Sequence, residues 1–507
     1  MKLLELSPSR KIYYNVVSQV LLQIITAVVG FILPRFILTA YGSEYNGMVA
    51  SITQFLSFVV ILRLGVAGAT RVALYQSLSK KDIIKTSGII LATESFMRRI
   101  AYAIIIYTVV LVMVYPYLID SSYSWLEISS LIVAISIGIF FEYFLGITYE
   151  TLLMAAQVAF VSVFLRVFLT ITNAFIVVFM ITSGFSIQAV KLFSSIVFAL
   201  SPIFLYYFVP RWMGLVRNVP PNNSALKQRY DVMASSIANI IHENVDMIVL
   251  VLLTSPLVVS VYAVYSLVTN GLRQLMRVFT GSLEGYFGEL WASNKIDEFS
   301  LGLSRYEFFV CFFVSVAYSC AFFLLLPFVR VYTAGVTDVD YIIPVYAFLA
   351  LTAELIYCIR APYLTVVQAA GRYKETKYGA YFEAGLNIFI SLISTYLWGI
   401  IGVAIGTVCA NMFRTIQYAI YISEEIISRN NFDILKKIIW MIGNVVTTLF
   451  LANIFINIEE ISWLAWGRAA VENLLLSFFI AMVTTKIFYK NNYDWIVKSF
   501  IHRKLKM

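Results

Sequence analysis

Charge is scarce in this chain. Only 13% of its 507 residues are Asp, Glu, Lys or Arg, whereas 61% are apolar. A soluble domain is nearer a quarter charged and under half apolar. The composition therefore excludes an ordinary water-soluble globule and fits a polytopic membrane protein. The four cysteines (Cys311, Cys320, Cys358 and Cys409) lie inside apolar runs without paired spacing. That excludes a disulfide framework and leaves them as small buried hydrophobes. Histidine occurs only twice, and no metal-spaced Cys/His cluster, H-E-x-x-H helix or Walker A glycine loop appears. No cofactor is expected, and neither an ATPase nor a metallohydrolase is indicated. The opening "MKLLELSPSRK" lacks the short apolar core and small-residue end of a cleaved signal peptide, so the first span is expected to be retained.

What the chain does have is apolar runs. Segments of roughly 20 residues separated by charged or turn-rich breaks give about fourteen helices. They begin near Tyr14, Gly47, Ile100, Ile128, Phe164, Ile187, Val232, Leu257, Tyr306, Pro344, Tyr378, Ile401, Ile438 and Trp466. The weakest breaks are "AAQVAF" (155–160) and "SGFS" (183–186), which carry almost no charge. Alternate connections are rich in Lys and Arg: Lys80, Lys81 and Lys85; Arg211, Arg217, Lys227 and Arg229; Arg372, Lys374 and Lys377; Lys436 and Lys437; and the tail "HRKLKM". The others, such as "IDSSYSW" (119–125) and "NIEEIS" (457–462), carry acids or nothing, with Arg330 the main exception. By the positive-inside rule both termini are cytoplasmic. Most of the net charge of +9 is then an orientation signal, and nucleic acid is not an expected partner.

Sliding the chain against itself gives a weak match at an offset of about 214 residues. "LLMAAQVAFVSVFLRVFLTITNAFIVV" (152–178) lies over "VVQAAGRYKETKYGAYFEAGLNIFISL" (366–392), sharing Ala155/Ala369, Asn173/Asn387 and Phe175/Phe389. "YYNVVSQ" (13–19) lies over "RYDVMAS" (229–235). Each match joins helices of the same ordinal in two sets of six, which makes a parallel pseudo-two-fold repeat. The expected fold is all-α: two six-helix lobes, at 1–216 and 232–425, joined by a cytoplasmic linker at 217–231. Two extra C-terminal helices and a basic tail occupy 426–507. Two such lobes imply a central cleft and alternating access by rocking.

Ionisable groups at mid-membrane are costly facing lipid and usually face a cavity or a partner. In "SSIANIIHENVDMIVLVLL" (235–253), Ser235, Asn239, His242 and Asp246 form one polar stripe, with Glu243 beside it. The following helix answers with Asn270, Arg273 and Arg277. In the first lobe Gln23, Arg35, Gln54 and Arg63 mark the first two spans. Arginines in a low-dielectric cavity attract phosphate or pyrophosphate through charge-assisted, often bidentate bonds. The cavity candidates are thus Arg35, Arg63, Arg273, Arg277, Asn270, Gln23 and Gln54. Asp246, His242, Glu243 and Asn239 are candidates for coupling to a proton or sodium ion. Two bland readings stand beside these: Arg71 and Arg277 snorkelling to the interface, and Glu142, Glu150, Glu354 and Glu383 pairing with Arg166, Lys191 or Arg360 as structural ion pairs.

Two blocks carry a family resemblance. "GFILPRFILTAYGSEYNGMVASITQFLSFVVILRLGVAGATRVALY" (30–75) resembles the opening helices of Wzx-type polysaccharide-biosynthesis flippases, of the multidrug/oligosaccharidyl-lipid/polysaccharide exporter superfamily. "GIIGVAIGTVCANMFRTIQY" (399–418) is similar to that family's twelfth helix. The resemblance implies a MATE-like fold of fourteen helices, a bacterial inner-membrane setting, and a cationic cavity. The implied substrate is an undecaprenyl-pyrophosphate-linked oligosaccharide carried to the outer leaflet, with membrane lipids and a polysaccharide polymerase as further partners. Arg63 departs from the family's acidic or neutral residue at that place, and an extra cation there would tune the cavity toward an acidic glycan.

Two exporter-type alternatives belong to the same superfamily: a cation-coupled multidrug exporter and a peptidoglycan-precursor flippase. The alternative of another class is a membrane-embedded polysaccharide polymerase or glycosyltransferase. Such enzymes place acids or arginines on a substantial outer loop, and the outer loops here are short.

Overall fold

The computed structural model describes residues 7–222, 244–427, 429, 432–458 and 460–494. Among them there are helices and turns and no strand. In chain order the helices are α1 (Pro8–Ser57), α2 (Val60–Ser79), α3 (Ile83–Leu118), α4 (Trp125–Ala155), α5 (Phe160–Thr182) and α6 (Ile187–Met213). Then follow α7 (Asn244–Leu253), α8 (Pro256–Ala292), α9 (Ile296–Tyr332), α10 (Pro344–Ala369), α11 (Tyr373–Trp398), α12 (Ile400–Glu425), α13 (Phe432–Phe455) and α14 (Trp463–Phe488). Eleven helices of the described residues have the length and hydropathy of a membrane span. Those outside that set, α2, α7 and α8, carry Arg63, Asp246 and Arg273.

Local chemistry places the boundaries. The Asp82 carboxylate accepts the Lys85 backbone N–H at 2.9 Å and caps α3. Ser124 and Glu127 form a capping box at the start of α4, and Ser186 and Ser462 cap α6 and α14. The two weak breaks are real turns, at Gln157 (φ 60) and Gly184 (φ 78). The first two spans are not separated by a loop: α1 runs through a kink at Gly42, whose φ of 84 suits glycine. Several helices also start earlier than their apolar runs. α3 begins at Ile83 rather than near Ile100, and α9 at Ile296 rather than near Tyr306. At 1.5 Å per residue a helix of this length is about 54 Å long, against a hydrocarbon core of about 30 Å. Its polar first turns therefore project beyond the core on the side of the basic connections.

The chain divides into two compact units, Met1–Ser260 and Val261–Met507. In the first, α4 packs on α3 and α6, α5 on α1 and α6, and α2 on α3 and α4. In the second, α10 packs on α9 and α12, α11 on α12, and both α13 and α14 on α9. The neighbours third–fourth, fourth–sixth and fifth–sixth thus recur as ninth–tenth, tenth–twelfth and eleventh–twelfth. The boundaries recur as well: Ile83 and Ile296, Phe160 and Tyr373, and Ile187 and Ile400 are each 213 residues apart. Even the left-handed turn positions repeat, as Lys81/Asn294, Gln157/Gly371 and Gly184/Gly399. The parallel repeat is written in the backbone far more clearly than in residue identity.

Candidate functional site

In the first unit Arg63 on α2 reaches Glu142 on α4 at 3.0 Å and Glu150 at 3.9 Å. Arg166 on α5 approaches the same two carboxylates at 3.5 and 3.6 Å. The geometry depends on a π turn at Glu142–Gly146. In a regular helix, residues eight apart sit about 80° out of line. The wider winding of the π turn takes up more residues per turn and brings Glu150 back beneath Glu142. Two cations and two anions leave this cluster neutral.

In the second unit Arg273 on α8 grips Glu354 on α10 in a bidentate pair, Nε to Oε1 at 2.7 Å and a terminal nitrogen to Oε2 at 2.5 Å. The Tyr357 ring lies between Arg273 and Arg360, with its centroid 4.8 and 4.7 Å from the two guanidinium carbons. Arg360 in turn bonds Glu383 on α11, and Arg414 on α12 reaches the other oxygen of Glu383 at 3.5 Å. Arg414 also donates to the Thr376 carbonyl at 2.9 Å and to the Tyr418 hydroxyl at 2.7 Å. Among the described residues, this chain of charges sets three cations against two carboxylates.

The two clusters share a plan. Arg63 and Arg273 are 210 residues apart, and Glu142 and Glu354 are 212 apart. In each unit an arginine of the second helix of the repeat meets a glutamate of the fourth. Both arginines keep an exposed edge, with side-chain exposures of 28% and 22%. A guanidinium held by a carboxylate yet open on one side can pass to an anion that offers equivalent oxygens, which spares the cation a desolvated, unpaired state.

The remaining sequence candidates are distributed along their helices. Gln23, Asn270 and Arg277 are exposed, Arg35 and Gln54 half-buried, and Asp246 half-buried on α7. Asn239, His242 and Glu243 lie outside the described residues. The structural ion pairs expected for Glu142, Glu150, Glu354 and Glu383 are present. Their partners include Arg63 and Arg273, which the sequence had marked for an anion, and do not include Lys191. Arg414 and Tyr357 were not anticipated. For Tyr357 no sequence signal separates it from the chain's other tyrosines.

No protein-family model matches the chain, and no curated protein sequence does. Solved structures do. One described as lipid II flippase MurJ in an inward closed conformation superimposes with a TM-score of 0.68 at 16% identity, over 95% of this chain and 99% of that one. A multidrug resistance MATE family transporter of the MOP superfamily, inward-facing, gives 0.60 at 14% identity over 83% of this chain and 95% of its own. An outward-facing MATE family transporter gives 0.54 at 14% identity, over 88% and 98%. This chain has their fold. With 95% of this chain covered, the likeness to the MurJ structure extends over nearly the whole molecule.

Proposed function

We propose that the protein flips an undecaprenyl-pyrophosphate-linked oligosaccharide from the cytoplasmic to the outer leaflet of the bacterial inner membrane by alternating access. The observation that carries this reading is the recurrence of one arginine–glutamate pair, Arg63–Glu142 and Arg273–Glu354, at equivalent places in both repeats of a fold shared with a flippase. A pyrophosphate supplies the paired oxygens a guanidinium fork prefers. Each glutamate then acts as a resident counter-ion that keeps its arginine ordered until the anion displaces it. Arg35 in the first unit and Arg277 in the second are further basic contacts for the substrate, Gln23, Gln54 and Asn270 offer hydrogen bonds to the glycan, and Asp246 with Asn239, His242 and Glu243 takes a proton or sodium ion. A polysaccharide polymerase consumes the product.

The likeness to MurJ supports a second reading, in which the cargo is a peptidoglycan precursor. A multidrug exporter fits less well, since a cationic drug would not be drawn to paired arginines.

The deciding experiment is accumulation of lipid-linked oligosaccharide in cells lacking the protein, with its leaflet read by an impermeant probe. Intermediate trapped on the cytoplasmic side, and released by the wild-type protein but not by Arg273→Ala, is the expected result. Intermediate that reaches the outer leaflet and is never polymerised would overturn the flippase reading and promote the polymerase one.

A further inference from the structure

A second constellation repeats between the units, away from the paired arginines. Glu94, Tyr149, Tyr206 and Arg217 in the first unit correspond to Glu307, Tyr363, Tyr418 and Arg429 in the second, at offsets of 213, 214, 212 and 212 residues. In both units the glutamate lies eleven residues into the third helix of the repeat, and the arginine follows the sixth. Four residues of matching type at matching offsets make a shared device, but the two copies are wired differently.

In the second unit the arginine sits on the glutamate. Arg429 bonds both oxygens of Glu307, and Lys437 of α13 adds a third contact at 2.9 Å. In the first unit the arginine is elsewhere. Arg217 donates to the Tyr206 hydroxyl at 3.0 Å, with its guanidinium carbon 4.8 Å from the Tyr206 ring centroid. Glu94 is bonded instead by the Tyr149 hydroxyl, and Arg98 stands 3.9 Å away. The Tyr149 ring lies 5.9 Å from that of Tyr206, edge to face, so the two seats adjoin.

The segment bearing Arg217 is held in place. Gly214 takes the left-handed conformation that ends α6, with φ 67. The Val216 N–H donates to the Ser87 hydroxyl at 3.0 Å, and the Asn222 N–H to the Gly88 carbonyl at 2.9 Å. A Cβ on Gly88 would stand 3.0 Å from the Pro220 carbonyl, so the strap lies directly on α3. With the backbone stitched down, the long Arg217 side chain has two places to go: the phenol it occupies, or the buried carboxylate its counterpart occupies. A guanidinium gains more from a carboxylate than from a neutral phenol, but Glu94 is already served by Tyr149, which narrows the difference. Two arrangements of similar energy are what a switching element requires.

We propose that Arg217 is a two-seat latch, binding Tyr206 of α6 in the state seen here and Glu94 of α3 in another. In the first seat it links the strap already stitched to α3 to α6 as well, and in the second it releases that link as the transporter changes state. The latch rests on the alternating-access reading, but its seats can be tested without any substrate.

The experiment places 3-fluorotyrosine at position 206 of the full-length protein in detergent and records its 19F NMR spectrum. Two resonances are expected, one for the ring carrying the guanidinium and one for the free ring. Arg217→Gln should leave only the second, and Glu94→Gln, by removing the other seat, only the first. A single resonance unchanged by Glu94→Gln overturns the latch. The functional arm is leaflet transfer of the lipid-linked oligosaccharide: Glu94→Gln and Arg217→Gln should each slow it about tenfold, with Arg217→Lys partly restoring it. Two resonances with transfer unaffected by Glu94→Gln would also overturn the proposal. Wild-type protein that transfers no lipid-linked oligosaccharide overturns the flippase reading, while the spectra alone still decide whether the two seats exist.

Discussion

Arg273 and Glu354 meet edge to edge, two guanidinium nitrogens on two carboxylate oxygens at 2.7 and 2.5 Å. Glu354 is nearly sealed, with 4% of its side chain exposed, while Arg273 retains 22%. The pair is therefore asymmetric: the anion is fixed in the protein, and the cation has an open flank.

The first prediction follows from that asymmetry. Lysine keeps the charge of Arg273 but not the planar fork, and it loses one of two charge-assisted bonds, each contributing about 1.5–3 kcal/mol. Arg273→Lys should slow leaflet transfer roughly tenfold, and Arg273→Ala should abolish it. Measured in reconstituted vesicles, equal rates for Lys and Arg at this position would show that the fork is not used.

The second prediction concerns Glu383, the carboxylate that pairs with two buried arginines, Arg360 and Arg414, among the described residues. Removing one partner of a buried pair costs about 3–5 kcal/mol, because the other charge is left uncompensated. Glu383→Gln should lower the thermal unfolding midpoint in detergent more than Glu142→Gln does. Glu142 shares its two arginines with Glu150, so its loss leaves a carboxylate behind. Adding Arg360→Gln to Glu383→Gln should restore part of the loss. A double variant less stable than the single one would contradict this account.

The fold was largely legible in the sequence, and the site only in part. Apolar runs and the sidedness of Lys and Arg reveal spans because lipid imposes them on every segment. Positions such as Arg63 and Arg273 stood out because charge is rare there. Their partners did not, since Glu142 and Glu354 lie 79 and 81 residues away and no local period links them. The matching offsets were hidden for a related reason: spacers drift by a few residues between the repeats, and the apolar majority tolerates almost any substitution. The π turn that aligns Glu150 with Glu142 leaves no mark in composition at all. Sequence periodicity assumes 3.6 residues per turn, and this site departs from it.

The third prediction tests the tightest helix crossing of the second unit. A Cβ on Gly402 of α12 would fall 2.1 Å from the Ser394 carbonyl carbon of α11, which is backbone and cannot turn aside. On Gly379 it would fall 1.8 Å from the Gln417 amide oxygen and 2.1 Å from an Arg414 guanidinium nitrogen, both at the ends of long side chains rather than on backbone. Small residues at such crossings let helices meet backbone to backbone. Gly402→Ala should therefore destabilise the detergent-solubilised protein more than Gly379→Ala, as read by thermal unfolding. The opposite order would mean that α11 and α12 can slide apart cheaply.

The last prediction turns on Asp246, the described member of the polar stripe on α7. It is half-buried, while Val245, Met247, Val249 and Leu250 around it are buried. A half-buried carboxylate on a helix at this depth is the kind of group whose charge a proton or sodium ion can cancel. Cancelling it favours whichever facing state buries the site more deeply. Asparagine has nearly the shape of aspartic acid and carries no charge in either state. Asp246→Asn should therefore abolish the response of leaflet transfer to an imposed pH or sodium gradient while leaving gradient-free exchange within about tenfold of wild type. Vesicles in which the pH gradient, the sodium gradient and the membrane potential are collapsed one at a time separate these cases. Should the variant still accelerate when a gradient is applied, the coupling group lies elsewhere, and Asp246 is a structural member of α7.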